Sequence, residues 1–137
     1  MYERLTDSIT WYVVFDRCHT APWWSKLLHP KFGHVYLWRE AQNGSILINP
    51  LSHALCVRHC DQTIEAAIEN EIAHGCTAVL QLTVHYGSFY RPKRPELLTC
   101  VTLAKRILCI KHGVTPKGLY HELIRAGATV IKPFAIL

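Results

Sequence analysis

Gly33-His34-Val35-Tyr36-Leu37-Trp38-Arg39-Glu40 and Ile46-Leu47-Ile48-Asn49, joined by Ala41-Gln42-Asn43-Gly44-Ser45, decide the fold. Both flanking runs are rich in β-branched and aromatic residues, the types that pack well on a pleated surface. Between them, Asn43-Gly44 accepts positive φ at little cost, so the chain reverses tightly and the two runs pair antiparallel. Alternation sets His34, Tyr36 and Trp38 on one face of the first strand and Val35 and Leu37 on the other. Pairing about the Asn43-Gly44 turn opposes residues whose numbers sum to roughly 87. Asn49 is then expected against Trp38, and a contact with His34 requires a bulge or a longer loop.

Working outward, Ile9 to Phe15 reads as a strand and Ala54 to His59 as another. Cys18 to Phe32, with Pro22, Trp23, Trp24 and Pro30, reads as a loop with one helical turn around Trp24 to Leu28. Thr63 to Ala73 carries Ile64, Ala67, Ile68, Glu71 and Ile72 at helical spacing, with Asp61 as a candidate cap and Gly75 as the stop. Glu65, Glu69 and Glu71 are expected to form a solvated acidic face. Ala78 to Tyr86 alternates as a strand, and a basic loop follows with Arg91, Lys93 and Arg94. Leu97 to Leu108 then repeats apolar residues at helical spacing, with Thr99 as a candidate N-cap and an end expected near Gly113. Thr115-Pro116 opens a last helix that runs to Gly127, and Thr129 to Ile131 forms a short strand. Strands and helices fall in partly separate runs, which predicts an α+β fold with a largely antiparallel sheet packed against the cysteine-bearing helix. At 137 residues the chain is read as a single domain over 1–137, with no internal repeat or linker.

Composition narrows the function classes. Half of the residues are hydrophobic and 18% are charged, the balance of a globular chain. No apolar run approaches the roughly 20 residues of a membrane span, and Met1 to Asp7 lacks the pattern of a signal peptide. A cytosolic or virion setting is the expectation. The formal charge is +5, but the basic residues are scattered apart from Arg91 to Arg94, so nucleic acid is not an expected partner. No glycine-rich phosphate loop is present, which argues against nucleotide hydrolysis. Six cysteines without an export signal read mostly as small hydrophobes, not as a disulfide framework. Cys18-His19 and Cys56-x-x-His59-Cys60 invite a zinc reading. It is set aside because structural zinc needs two tight ligand pairs and neighbouring residues of a strand face apart. No metal or cofactor is expected.

Chemistry is expected at Cys100. A cysteine in the first turn of a helix feels the positive end of the helix dipole, which favours the nucleophilic thiolate; the plain alternative is a buried core cysteine. The candidate base is His34, at the start of a strand after a glycine, unless it is a structural or surface histidine. The candidate third member is Asn49, whose amide oxygen suits fixing the tautomer of an imidazole, unless it only caps the turn before Pro50. Trp23 and Trp24 are candidates to wall a substrate groove, with core packing as the alternative, and Tyr12 is a candidate donor into the site.

Phe32-Gly33-His34-Val35, Leu98-Thr99-Cys100-Val101 and the follow-on Thr115-Pro116-x-x-Leu119-Tyr120 resemble the circularly permuted papain-like thiol hydrolases, relatives of the NlpC/P60 peptidases. In that group a Gly-His-Val-like strand comes early and a cysteine-bearing helix late. With Trp-Tyr-Val-Val-Phe near the start and Trp23-Trp24 before the histidine strand, the chain also looks like small tailed-bacteriophage proteins. The resemblance covers roughly residues 9 to 125. It implies Cys100 as nucleophile with its N–H in an oxyanion hole, His34 as base, and Asn49 orienting His34; Ser52 or His53 are alternatives for the third role. The implied reaction is hydrolysis or acyl transfer at an amide or ester through a thioester, without a cofactor, on a peptide-like or acyl substrate. A different class is a non-catalytic phage structural or accessory protein that binds other virion proteins, through the Trp23-Trp24 loop or the basic loop.

Overall fold

The computed structural model describes residues 8–17, 33–50, 54–85, 100–113 and 115–134. In chain order the elements are β1 (Ser8–Asp16), β2 (His34–Ala41), β3 (Gly44–Pro50), β4 (Leu55–Cys60), α1 (Ile64–Ala73), β5 (Ala78–His85), α2 (Cys100–Leu108), α3 (Pro116–Arg125) and β6 (Thr129–Lys132). The strands form one six-stranded sheet in the order β4-β3-β2-β1-β5-β6, and every neighbouring pair is antiparallel.

β1 lies in the interior of the sheet because it is apolar on both faces. Trp11, Val13 and Phe15 enter one core with Val35, Leu37, Leu80, Val101, Ala104, Leu108, Leu119 and Leu123. Val14 enters a second core with Tyr36, Trp38, Ile64, Ala67, Ile68, Cys76 and Val79. Helices thus cover both faces: α2 and α3 lie on the first and α1 on the second. Alternation along each strand feeds the two cores in turn, and burial of this apolar surface is the main force holding the three layers together.

Local chemistry fixes the helix ends. Thr63, not Asp61, caps α1: its side-chain oxygen accepts from the Ala66 N–H at 3.2 Å, and Asp61 stands two residues too early. Thr115 caps α3 as expected, accepting from Gly118 N–H at 3.0 Å ahead of Pro116. The end of α2 comes earlier than Gly113. Cys109 takes the left-handed conformation (φ 57°), and Ile110 N–H bonds back to the Lys105 carbonyl at 2.9 Å, which closes the helix in the Schellman manner. Thr99 and the Trp24 to Leu28 turn lie outside the described residues.

The β2–β3 turn also differs from the expectation. Its two turn residues are Gln42 and Asn43, with Ala41 paired to Gly44, so Gly44 already belongs to β3. Asn43 supplies the positive φ (61°). Gly44 is needed for space: a Cβ there would stand 2.1 Å from the Cys60 carbonyl oxygen. Moving the turn back by one residue moves the register by two. Trp38 faces Leu47 and Leu37 faces Ile48, and one more step along the ladder sets Asn49 across from Tyr36.

Candidate functional site

One end of the sheet gathers the end of β1, the start of β2, the end of β3 and the starts of β4 and β5. Asp16 is paired with His34, and Asn49 with Cys56. Because Asn49 is set across from Tyr36, His34 is its diagonal neighbour on the same face. Diagonal neighbours lie about 7–8 Å apart, a gap that two long polar side chains span. Here they do: His34 Nε2 and Asn49 Oδ1 are 2.6 Å apart. The amide oxygen can only accept, so Nε2 is the donor in this contact and Nδ1 is left outside it. No bulge is required; the two-residue register shift brings the pair together.

Cys100 occupies the first position of α2 and is half-buried. It packs against the core that contains Val35 and Leu37. His34 lies on the other side of β2 by alternation, with Tyr36 and Trp38; its ring centroid is 5.9 Å from that of Tyr36. The structure therefore unites two of the three predicted catalytic residues, and it sets the third on a helix that packs on the same strand from the opposite face.

Tyr12 does not join the pair. It stands opposite Trp38, four residues along β1 from Asp16, a distance of about 13 Å. Its hydroxyl accepts from Gln81 Nε2 at 3.2 Å, and burial, then the charges of Glu65 and Glu40, raise its pKa above the ordinary value. Trp23, Trp24, Ser52 and His53 lie outside the described residues, as does the basic loop.

The polar groups that sequence reasoning missed are on the α1 face. Glu71 is half-buried and not part of a solvated face. Its carboxylate accepts two bonds from β2: Tyr36 Oη donates to Oε2 at 2.5 Å, and Trp38 Nε1 donates to Oε1 at 3.1 Å. Both aromatic side chains are nearly fully covered, at 8% and 6% exposure, so this carboxylate satisfies two donors that would otherwise be stranded. Burial, and then the bond to Glu71, push the Tyr36 hydroxyl far above the usual phenol range. The readable signal was a carboxylate on the same helical stripe as Ile64, Ala67 and Ile68.

Nearby, Lys132 Nζ donates to the Cys76 carbonyl. Burial raises the Cys76 thiol to about 11, against the partly opposing charge of Lys132. Cys76 is thus held as an uncharged thiol. Among the described residues, no group of three His, Cys, Asp or Glu side chains is placed to hold a metal ion, and no helix is long and apolar enough to cross a membrane. A shallow groove of about 460 Å³ lies at the far end of the sheet, between Ser8 to Thr10 and Arg39 to Gln42. It is remote from the imidazole.

Comparison of the chain with protein-family models, with curated proteins and with solved structures returned no match.

Proposed function

We propose that this chain is a cysteine hydrolase or acyltransferase of the permuted papain-like type, acting on an amide or ester of a peptide-like or acyl substrate. The observation that carries the reading is the 2.6 Å bond between His34 and Asn49. With Nε2 engaged by Asn49, Nδ1 is the nitrogen available to act as a general base. The nucleophile in this reading is Cys100, whose place at the head of a helix favours the thiolate. His34 and Cys100 are the first residues of β2 and of α2, a helix packed on that strand, and this reading requires them to meet round the end of β2 rather than across it.

His34 Nδ1 takes the thiol proton as Sγ of Cys100 bonds to the substrate carbonyl carbon. The carbonyl oxygen becomes an oxyanion, for which the Cys100 backbone N–H is a donor. The tetrahedral intermediate collapses, the C–N or C–O bond breaks, and the imidazolium gives its proton to the leaving group. Water, or an acceptor nucleophile, then attacks the thioester, with His34 again taking the proton and Cys100 leaving as thiolate. Asn49 stays bonded to Nε2 throughout and holds the ring's orientation. A tailed-phage setting, in the host cytoplasm or the virion, belongs to the same proposal.

A second reading is favoured by the alternation along β2, which gives the thiol and the imidazole to opposite faces: a binding protein that keeps the fold without the chemistry. Limited iodoacetamide labelling at pH 6, read by peptide mass spectrometry, separates the two. The hydrolase reading expects Cys100 to label ahead of Cys56, Cys60, Cys76 and Cys109, and to lose that lead in His34→Ala by about 10²-fold. Uniform labelling, or a lead for Cys56 on the imidazole's own face, would favour the binding protein.

A further inference from the structure

We infer that Glu71 is a positioning residue for His34, acting through Tyr36; its catalytic meaning rests on the hydrolase reading above. The imidazole is bounded on two sides. Asn49 holds its Nε2 edge, and the ring of Tyr36 flanks it at 5.9 Å between centroids, tilted by 36°. The first contact alone fixes one atom and leaves the ring free to pivot about it. The second limits the pivot, but only while the Tyr36 ring is itself fixed. Tyr36 is fixed at its far end, where the hydroxyl donates to Glu71 Oε2 at 2.5 Å.

The carboxylate is held in turn. Trp38 Nε1 donates to its other oxygen, and Glu71 sits near the end of α1, where Cys76 N–H bonds back to the Glu71 carbonyl at 3.3 Å. Residue 71 is therefore fixed by its backbone as well as by its side chain. The chain of contact runs from α1 through Glu71 and Tyr36 to the imidazole, all on one face of β2. Register adds a further link, since Asn49 follows Ile48, the partner of Leu37, and so falls beside Tyr36 just beyond the last paired residues. A shift of Tyr36 thus disturbs both constraints on His34 together. Two coupled constraints hold a ring more closely than either alone, as outer-shell partners do for a ligating histidine.

The test reads His34 directly. Long-range proton–nitrogen correlation NMR of the folded protein reports which ring nitrogen carries the proton. The wild type is expected to show Nε2 protonated and Nδ1 bare. In Glu71→Ala and Tyr36→Phe the His34 signals are expected to move toward a mixture of tautomers, with iodoacetamide labelling of Cys100 slowed by about three- to tenfold. Glu71→Gln keeps an oxygen for the Tyr36 hydroxyl and is expected to fall between. Leu123→Ala, on the opposite face, serves as the control for general loosening: its His34 signals are expected to match the wild type.

Unchanged His34 signals in folded Glu71→Ala, Glu71→Gln and Tyr36→Phe would overturn the inference. So would an equal change in Leu123→Ala, because the effect would then be loss of stability alone. Failure of the hydrolase reading looks different: Cys100 labels without preference in the wild type, while the tautomer of His34 still responds to Glu71.

Discussion

The two faces of the sheet are held by different physics. Against α2 and α3 the sheet presents Val13, Phe15, Val35, Leu37 and Leu80, all at 0–1% exposure, and the helices answer with Val101, Ala104, Leu108, Leu119 and Leu123. That face is built mainly from apolar side chains, although α2 also buries Lys105. Against α1 the sheet presents Tyr36 and Trp38, which are buried but polar, and a single carboxylate answers both. The apolar face depends on volume and close packing. The α1 face depends on geometry, because each buried donor needs its acceptor in one place. The His34 imidazole lies on this same face, beside the Tyr36 ring.

Substitutions on each face, and a pH series, test the difference. Leu123→Ala should cost the most, about 2–5 kcal/mol, because it leaves a cavity in the apolar core; chemical denaturation measures it, and the His34–Asn49 pair should survive. Glu71→Ala strands two buried donors and should cost about 1–3 kcal/mol. A cost at least as large as that of Leu123→Ala would show that the α1 face carries stability as well as orientation.

The alkaline limb comes next. The thiol of Cys76 is raised from 9.0 to about 11, so the folded state holds its proton where the unfolded chain has released it. Its contribution to stability is therefore complete below pH 9 and is lost as pH rises towards 11. Tyr36, raised from 10.0, acts in the same sense from pH 10 upward. Denaturation midpoints followed from pH 8 to pH 11 should fall, and Cys76→Ala should flatten the earlier part of that fall. The smallest effect is expected for Cys109→Gly. Glycine relieves the left-handed backbone at φ 57° but adds freedom to the unfolded chain, so the net change should lie within about 1 kcal/mol, visible as a small shift in Tm.

Much of this architecture was legible because each strand and helix is locally consistent. The run Ile9 to Phe15, the helical stripe Ile64-Ala67-Ile68 and the Thr115-Pro116 start all appear where the residue pattern set them. The misses share one cause: a choice between adjacent positions that tertiary contact decides. Asn43 takes the left-handed turn position at φ 61° while Gly44, at φ 153°, passes against the Cys60 carbonyl, and no local rule shows that strand across the sheet. The pairing of His34 with Asn49 was legible as chemistry and illegible as register for the same reason. Cys109 ends α2 in a conformation that local preference assigns to glycine, so the expected stop at Gly113 came four residues late. Glu71 was legible as a helical position but not as an acceptor, since its donors arrive from a strand more than thirty residues earlier.

The central place of β1 has a consequence for how the molecule is made. Its first residue pairs with His85, so one edge of this apolar strand waits unpaired until β5 is made, after β2, β3, β4 and α1. The β1-to-β4 meander is local and is expected to assemble first, as a four-stranded sheet with an open β1 edge. Closing that edge with β5 is a long-range step, the kind that slows folding and exposes intermediates to aggregation. Yield of soluble protein should therefore depend on temperature and synthesis rate through this one strand, whatever the stability of the finished fold.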